Sequence, residues 1–430
     1  MIVPTVECDP SAPSASPWTD DPPLTVTVVY GTRPEAVKTA PLVAALRKDP
    51  RFEPLVLVTG QHREMLDQVN EVFGIVPDVD LDIHRAGQTL TDVTVGCLVG
   101  IERELSLRRP DAVVVQGDTT TAFTVALAGF YQRVPVIHLE AGLRTNDVHG
   151  PFPEEINRRL ATQLAALHLA PTWESRRNLL RENVDPSRIV VTGNTVIDAL
   201  HQAVGARRPY GDDALEAELE AESDAGPRPV LLVTAHRRES WGEPMAGIGR
   251  AVARLARRYP HYLVVFPVHR NPIVREAVLP ALRDLANVRI TEPLPYGGFA
   301  RLMDRATLIL TDSGGVQEEG PSLGKPVLVL RDTTERPEAV RAGTVALVGT
   351  AEDAVVAAVS KVIDDPEVRA RMARAVNPYG DGQAARRGVE ALAHHFGRGP
   401  WPDEFGPFRT DGSGPDDVRR VPSPVGTASC

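Results

Sequence analysis

Cysteine is scarce: Cys8, Cys97 and Cys430 are the only three in 430 residues, too few and too scattered for a disulfide framework. No apolar run approaches the roughly 20 residues that span a bilayer, and the N-terminus lacks the charged-then-apolar pattern of a secretory signal. A cytoplasmic protein with no membrane partner is expected. Basic residues are outnumbered, 47 against 57 acidic, for a net charge of −10. That balance disfavours a broad nucleic-acid surface but leaves room for a local basic pocket holding a small anion. Two fingerprints are also missing. Neither G-x-x-x-x-G-K nor G-x-G-x-x-G follows any apolar run, so kinase and nicotinamide readings are set aside. His236 and His269 have no second His or Cys at ligand spacing, and neither a metal nor another cofactor is expected.

What is present is a globular composition, 42% hydrophobic and 24% charged, long enough for two domains at roughly 150 residues each. Six prolines crowd residues 1–23, and six prolines with six glycines fill 397–430. Both segments read as disordered tails. Between them, short apolar runs alternate with helical stretches: 24–31, 55–60, 112–118, 134–140, 167–171 and 188–194, then 229–236, 262–269, 307–315, 325–332 and 344–350. Runs without polar alternation fit strands covered on both faces of a parallel sheet. A polar, acidic stretch at 202–228 separates the two series, which places a domain junction near residue 200. The expected architecture is α/β, two Rossmann-like domains facing a cleft.

In open parallel sheets, ligands bind beyond the carboxyl ends of the strands, and the residues there are polar. The first run opens into GTRPEAVK, where Gly31, Arg33 and Lys38 could meet an anion at a helix start. Two more runs end in Asp118 and Glu140, a pair able to divide acid and base roles if their environments separate their pKa values. Asp118 also reads as the N-cap of a helix beginning at Thr119, whereas Glu140, followed by Ala-Gly, has no helix to cap. Glu154 and Glu155 open a helix, where acids complement the dipole whatever the function. In the second series, strands end at His236 and at Asp312-Ser313-Gly314-Gly315, and a Ser-Gly-Gly turn opening a helix is a good diphosphate seat. Glu318 and Glu319 follow on that helix, as ribose-hydroxyl partners or as exposed dipole partners. Arg331, Glu335 and Arg336 come after the next strand.

These segments, together with TGQHREMLDQV, EAGLRT, PEEINRR, GNTVIDAL, AHRRES, RDTTERPEAV and NPYGDGQA, make the chain from about Val26 to Gly397 closely similar to the bacterial non-hydrolysing UDP-N-acetylglucosamine 2-epimerases. The resemblance implies a GT-B-type pair of Rossmann-like domains, 24–200 and a UDP-binding 201–377, with a last helix at 378–396 crossing back to the first. It implies reversible, cofactor-free inversion at C2 of UDP-GlcNAc to UDP-ManNAc, by anti elimination of UDP to 2-acetamidoglucal and re-addition, in a homodimer. By motif it assigns catalysis to Asp118, Glu140, Glu154 and His236, and substrate binding to Arg33, Lys38, Phe299, Ser313, Gly314, Gly315, Glu319 and Arg336. Leu294 stands where some relatives place Gln and others Leu. Gly87 stands where regulated relatives place an Arg that helps hold a second UDP-GlcNAc, beside Gln61 and Glu64, so feedback activation is not carried over. A glycosyltransferase of the same fold, a hydrolysing epimerase and a non-catalytic sugar-nucleotide sensor are the competing readings.

Overall fold

The computed structural model describes residues 21–60, 63–85, 87–221, 226–334 and 336–406. Among these residues, thirteen strands form two sheets. The first contains β1 (Leu24–Tyr30), β2 (Phe52–Val58), β3 (Val79–Asp80), β4 (Ala112–Gln116), β5 (Val136–Leu139), β6 (Leu167–Ala170) and β7 (Ile189–Val191). The second contains β8 (Val230–Thr234), β9 (Leu263–Pro267), β10 (Val288–Thr291), β11 (Leu308–Thr311), β12 (Val327–Val329) and β13 (Val345–Leu347). The spatial orders are β3-β2-β1-β4-β5-β6-β7 and β10-β9-β8-β11-β12-β13, and every pairing is parallel. In each sheet the order reverses once, between β1 and β4 and between β8 and β11. Helices leaving two such strands diverge to opposite faces, and the gap between them is where a ligand fits.

The apolar runs are strands because both of their faces are covered: β4, β5, β6 and β11 are buried at every position. Two strands escape that signal. β3 is only two residues long, and β10 buries Val288 and Thr291 while exposing Arg289 and Ile290, so neither forms an apolar run. A continuous apolar cluster extends from Val28, Leu42 and Leu169 through Ile197 and Leu200 to Leu232, Ile309 and Val327. The two sheets therefore share buried surface. The helix Ala384–His395 packs on the first sheet, its opening N–H groups at Ala384 and Ala385 donating to the Asp198 carboxylate at 3.2 and 2.9 Å.

The C-terminal segment departs from expectation at its start. A disordered tail is expected from residue 397, yet residues up to Gly406 are docked. Phe405 N–H donates to Val191 O at 2.7 Å, and Glu404 accepts from Val191 N–H at 2.9 Å and pairs with Arg176 at 3.3 Å. These contacts occupy the open edge of β7, which would otherwise present unpaired backbone groups. The remainder of both tails, 1–20 and 407–430, lies outside the described residues, as do Gln61 and Glu335 and the side chain of Glu64.

Candidate active site

The two switch points bring the strand-end residues together. In the first sheet, Glu140 follows β5 with φ at +63°, a left-handed conformation that costs a non-glycine residue about 1 kcal/mol or more and is retained where the surroundings enforce it. Its side chain is buried and takes Lys38 Nζ at 2.5 and 2.7 Å, Gln116 Nε2 at 2.5 Å and Asn194 Nδ2 at 3.0 Å. Burial alone would raise the Glu140 pKa, but Lys38 and Asn194 outweigh it and hold the carboxyl below its usual range. Asp118 is half-buried and pairs with Arg158. There burial prevails over Arg158, and with Glu140 nearby the Asp118 carboxyl is pushed up. The two acids are thus driven in opposite directions, as a divided acid–base pair requires.

The capping reading of Asp118 does not hold. The helix spans Thr120–Tyr131, and Thr119 caps it by accepting from Ala122 N–H at 3.0 Å. That leaves the Asp118 carboxyl without a capping role. Its backbone carbonyl is fixed by Asn157 Nδ2 at 3.0 Å, and the carbonyl of Gly117 accepts from His138 Nε2 at 2.7 Å. His138 is fully buried with its pKa lowered to about 4 by desolvation, so the ring is neutral and braces the turn. Glu154 and Glu155 separate in role. Glu155 is fully buried and holds Thr145 N–H at 3.0 Å and Asn146 N–H at 3.2 Å. Glu154, one turn before Arg158 on the helix Glu154–Leu164, is half-buried and has no hydrogen bond or ion pair among the described residues.

The β1 turn also differs from expectation. Its N–H groups do not await an anion: Gly31 N and Thr32 N donate to Glu35 Oε2 at 2.9 and 2.7 Å, and Thr119 Oγ1 donates to Glu35 Oε1 at 2.5 Å. Glu35 is fully buried and occupies the helix start itself. Lys38 is likewise committed to Glu140. Of the cations expected there, Arg33 keeps its place on the cleft wall and makes no ion pair among the described residues.

Across the cleft, Asp312 is fully buried and accepts from the N–H groups of His236 at 2.6 Å and Arg237 at 2.8 Å, while His236 Nδ1 lies 3.1 Å from its other oxygen. This contact orients the ring and leaves Nε2 for the cleft; the ring also stacks on His269 at 5.8 Å. Ser313 precedes the helix Gly314–Ser322, whose first-turn N–H groups have no intrahelical acceptor. A Cβ at Gly314 would lie 2.6 Å from Arg336 Nη1, so glycine lets the guanidinium sit over the helix start. Glu318 and Glu319 are buried rather than exposed on the helix. Glu318 accepts from Arg336 Nε at 2.5 Å, and Glu319 accepts from Tyr296 OH at 3.3 Å. Burial and the neighbouring Glu318 push the Glu319 carboxyl up to about 7. A cavity of ≈ 320 Å³ is lined by Arg33, His236, His269, Leu294, Phe299 and Ser313, among others. The arrangement offers cations and helix-end donors to a diphosphate, apolar Leu294 and Phe299 to a flat ring, and acids to a proton-transfer step.

A family model described as UDP-N-acetylglucosamine 2-epimerase matches residues 44–393. The UDP-N-acetylglucosamine 2-epimerase of Escherichia coli K12 is 53% identical over 374 residues, covering 86% of this chain and 99% of that protein. The chain belongs to this family. The Bacillus subtilis UDP-N-acetylglucosamine 2-epimerase is 48% identical over 383 residues, 89% of this chain and 98% of its own. Among solved structures, the Neisseria meningitidis UDP-GlcNAc 2-epimerase bound to UDP-GlcNAc superposes with a TM-score of 0.75 at 45% identity, covering 86% of this chain and all of that one (100%). The two parallel-sheet units are thus of the GT-B type found in these relatives. One residue of the site that sequence reasoning passed over is Asn194: it lies in the quoted segment GNTVIDAL, but it meets Glu140, 54 residues away, only through the fold.

Proposed function

We propose that the protein interconverts UDP-GlcNAc and UDP-ManNAc by inverting C2 without hydrolysis. The observation that carries this reading is the opposed environments of Asp118 and Glu140 at strand ends of the first sheet, together with a helix start in the second over which the Arg336 guanidinium sits. UDP is held in the second domain, 201–377, by Ser313, Gly314, Gly315, Glu319 and Arg336, with Arg33 reaching the diphosphate from the first domain and Phe299 against the base. A carboxylate among Asp118, Glu140 and Glu154 removes the C2 proton. The C1–O bond breaks with its electron pair leaving on UDP, and a C1–C2 double bond forms, giving 2-acetamidoglucal. The helix-end N–H groups, the arginines and His236 stabilise the charge that develops on the departing diphosphate. Return of a proton to the other face of C2 and re-addition of the UDP oxygen at C1 complete the inversion. No redox partner enters the balance.

The second copy of a homodimer would sit on the helices Leu90–Arg108, Thr120–Tyr131 and Glu154–Leu164. These pack side by side and leave Val95, Val99, Phe130, Tyr131, Ile156 and Leu160 exposed, apolar side chains on neighbouring helices of the kind a partner surface would cover.

NMR of purified protein incubated with UDP-GlcNAc in D₂O tests the chemistry. Deuterium should appear at C2 of both UDP-GlcNAc and UDP-ManNAc, with no free sugar, because the proton passes through a group that exchanges with solvent. Release of free ManNAc with UDP would refute the non-hydrolysing course, and retention of the original C2 hydrogen would refute elimination.

A further inference from the structure

Four segments distant in sequence meet at Asn194, which is only 4% exposed. Its Oδ1 accepts from Val196 N–H at 3.1 Å, capping the helix Thr195–Gly205. With the oxygen so engaged, the NH₂ end faces two carboxylates, donating to Glu140 Oε1 at 3.0 Å and to Glu318 Oε2 at 3.2 Å. Its backbone N–H donates to Tyr379 O at 2.7 Å, and Asn377 Nδ2 in the same crossing segment donates to Glu318 O at 2.8 Å. The chain of contacts Lys38–Glu140–Asn194–Glu318–Arg336 therefore runs unbroken from the acid at the end of β5 to the guanidinium over the helix start of the second sheet.

We propose that Asn194 is a positioning residue that ties the state of the nucleotide seat to the placement of Glu140. The reasoning rests on the epimerase reading given above. A neutral amide with two N–H groups is the smallest side chain that can satisfy two buried anions at once while its oxygen caps a helix. A carboxylate there would add a third negative charge, and a hydroxyl would reach neither acid while still capping. Because Arg336 holds Glu318, any movement of Arg336 toward a bound diphosphate shifts Glu318 and hence the amide that orients Glu140.

Two variants keep the cap and remove the bridge. Asn194→Ser retains a good capping oxygen, and Asn194→Asp retains it while adding charge. In Asn194→Ser, kcat should fall about 30-fold or more, the scale expected for a misplaced catalytic group, while the Kd for UDP alone stays within about threefold of wild type. The groups facing Glu140 are Lys38, Asp118, Arg336 and, through Asn194, Glu318, with His138 neutral behind it. Removing the amide withdraws one bond that favours the charged carboxylate, so Glu140 should titrate at higher pH and the acid limb of kcat should move upward, further in Asn194→Asp. The ¹³C signal of the Glu140 carboxyl, assigned with Glu140→Gln, follows that titration without reference to turnover. Glu140 titrating as in wild type in folded Asn194→Ser overturns the proposal, and so does a loss confined to UDP affinity. Wild-type protein that leaves UDP-GlcNAc unconverted fails the epimerase reading instead, and the carboxyl titration still decides the bridge.

Discussion

Glu319→Gln isolates a cost that the fold carries at its nucleotide seat. In the unfolded chain this carboxyl ionises near its ordinary value of 4.5, whereas burial beside Glu318 pushes it up to about 7 in the folded protein. Below pH 4.5 both states hold the proton and nothing is lost. Between 4.5 and 7 the unfolded chain releases the proton while the folded one keeps it, so stability falls as pH rises. Above 7 the full penalty applies: about 2.5 pK units at 1.36 kcal/mol each, or roughly 3 kcal/mol. Glutamine preserves the acceptor for Tyr296 OH and carries no charge. Thermal unfolding of wild type and Glu319→Gln should therefore give similar midpoints at pH 5. By pH 8 the variant should be more stable, by on the order of 5–10 °C for a cooperative unit of this size. A difference that does not grow with pH would refute the buried-charge reasoning, and a variant destabilised throughout would mean that the carboxyl makes contacts the amide cannot replace.

Asp118→Asn should lower kcat by roughly 10²-fold or more while shifting the unfolding midpoint little, because Thr119 and not Asp118 caps the following helix; near-normal turnover would remove Asp118 from the chemistry. Val99→Glu, on the exposed face of the helix Leu90–Arg108, should convert a dimer to monomers in sedimentation velocity at micromolar concentration. A wild-type protein that sediments as a monomer would refute the assembly.

The strands of both sheets were largely legible because parallel strands buried on two faces must be written in apolar residues. β10 was not, since half of it faces water. The rim was legible for a related reason: a polar residue directly after an apolar run has few reasons to be there except a cap or a ligand, and Asp118, Glu140, His236 and Ser313 all lie at such ends. What the pattern could not show is which of these groups are already spent on one another. Arg33 and Lys38 look equivalent in GTRPEAVK, yet one lines the cleft and the other is bound to Glu140, 102 residues away. Gly31 and Gly314 both open helices after strands, but a buried Glu35 has taken the first turn's donors while at the second glycine lets the Arg336 guanidinium sit over the helix start. Glu318 and Glu319 look like surface dipole partners until the first domain closes over them, and Asn194 reaches Glu318 across 124 residues. Each of these assignments depends on where the two switch points stand relative to each other, and that is fixed by the shared apolar cluster and the crossing helix rather than by local spacing. The arginine over the helix start on one side and the paired acids on the other then follow from a single physical demand: a buried charge must find a partner within the fold or wait for one in the ligand.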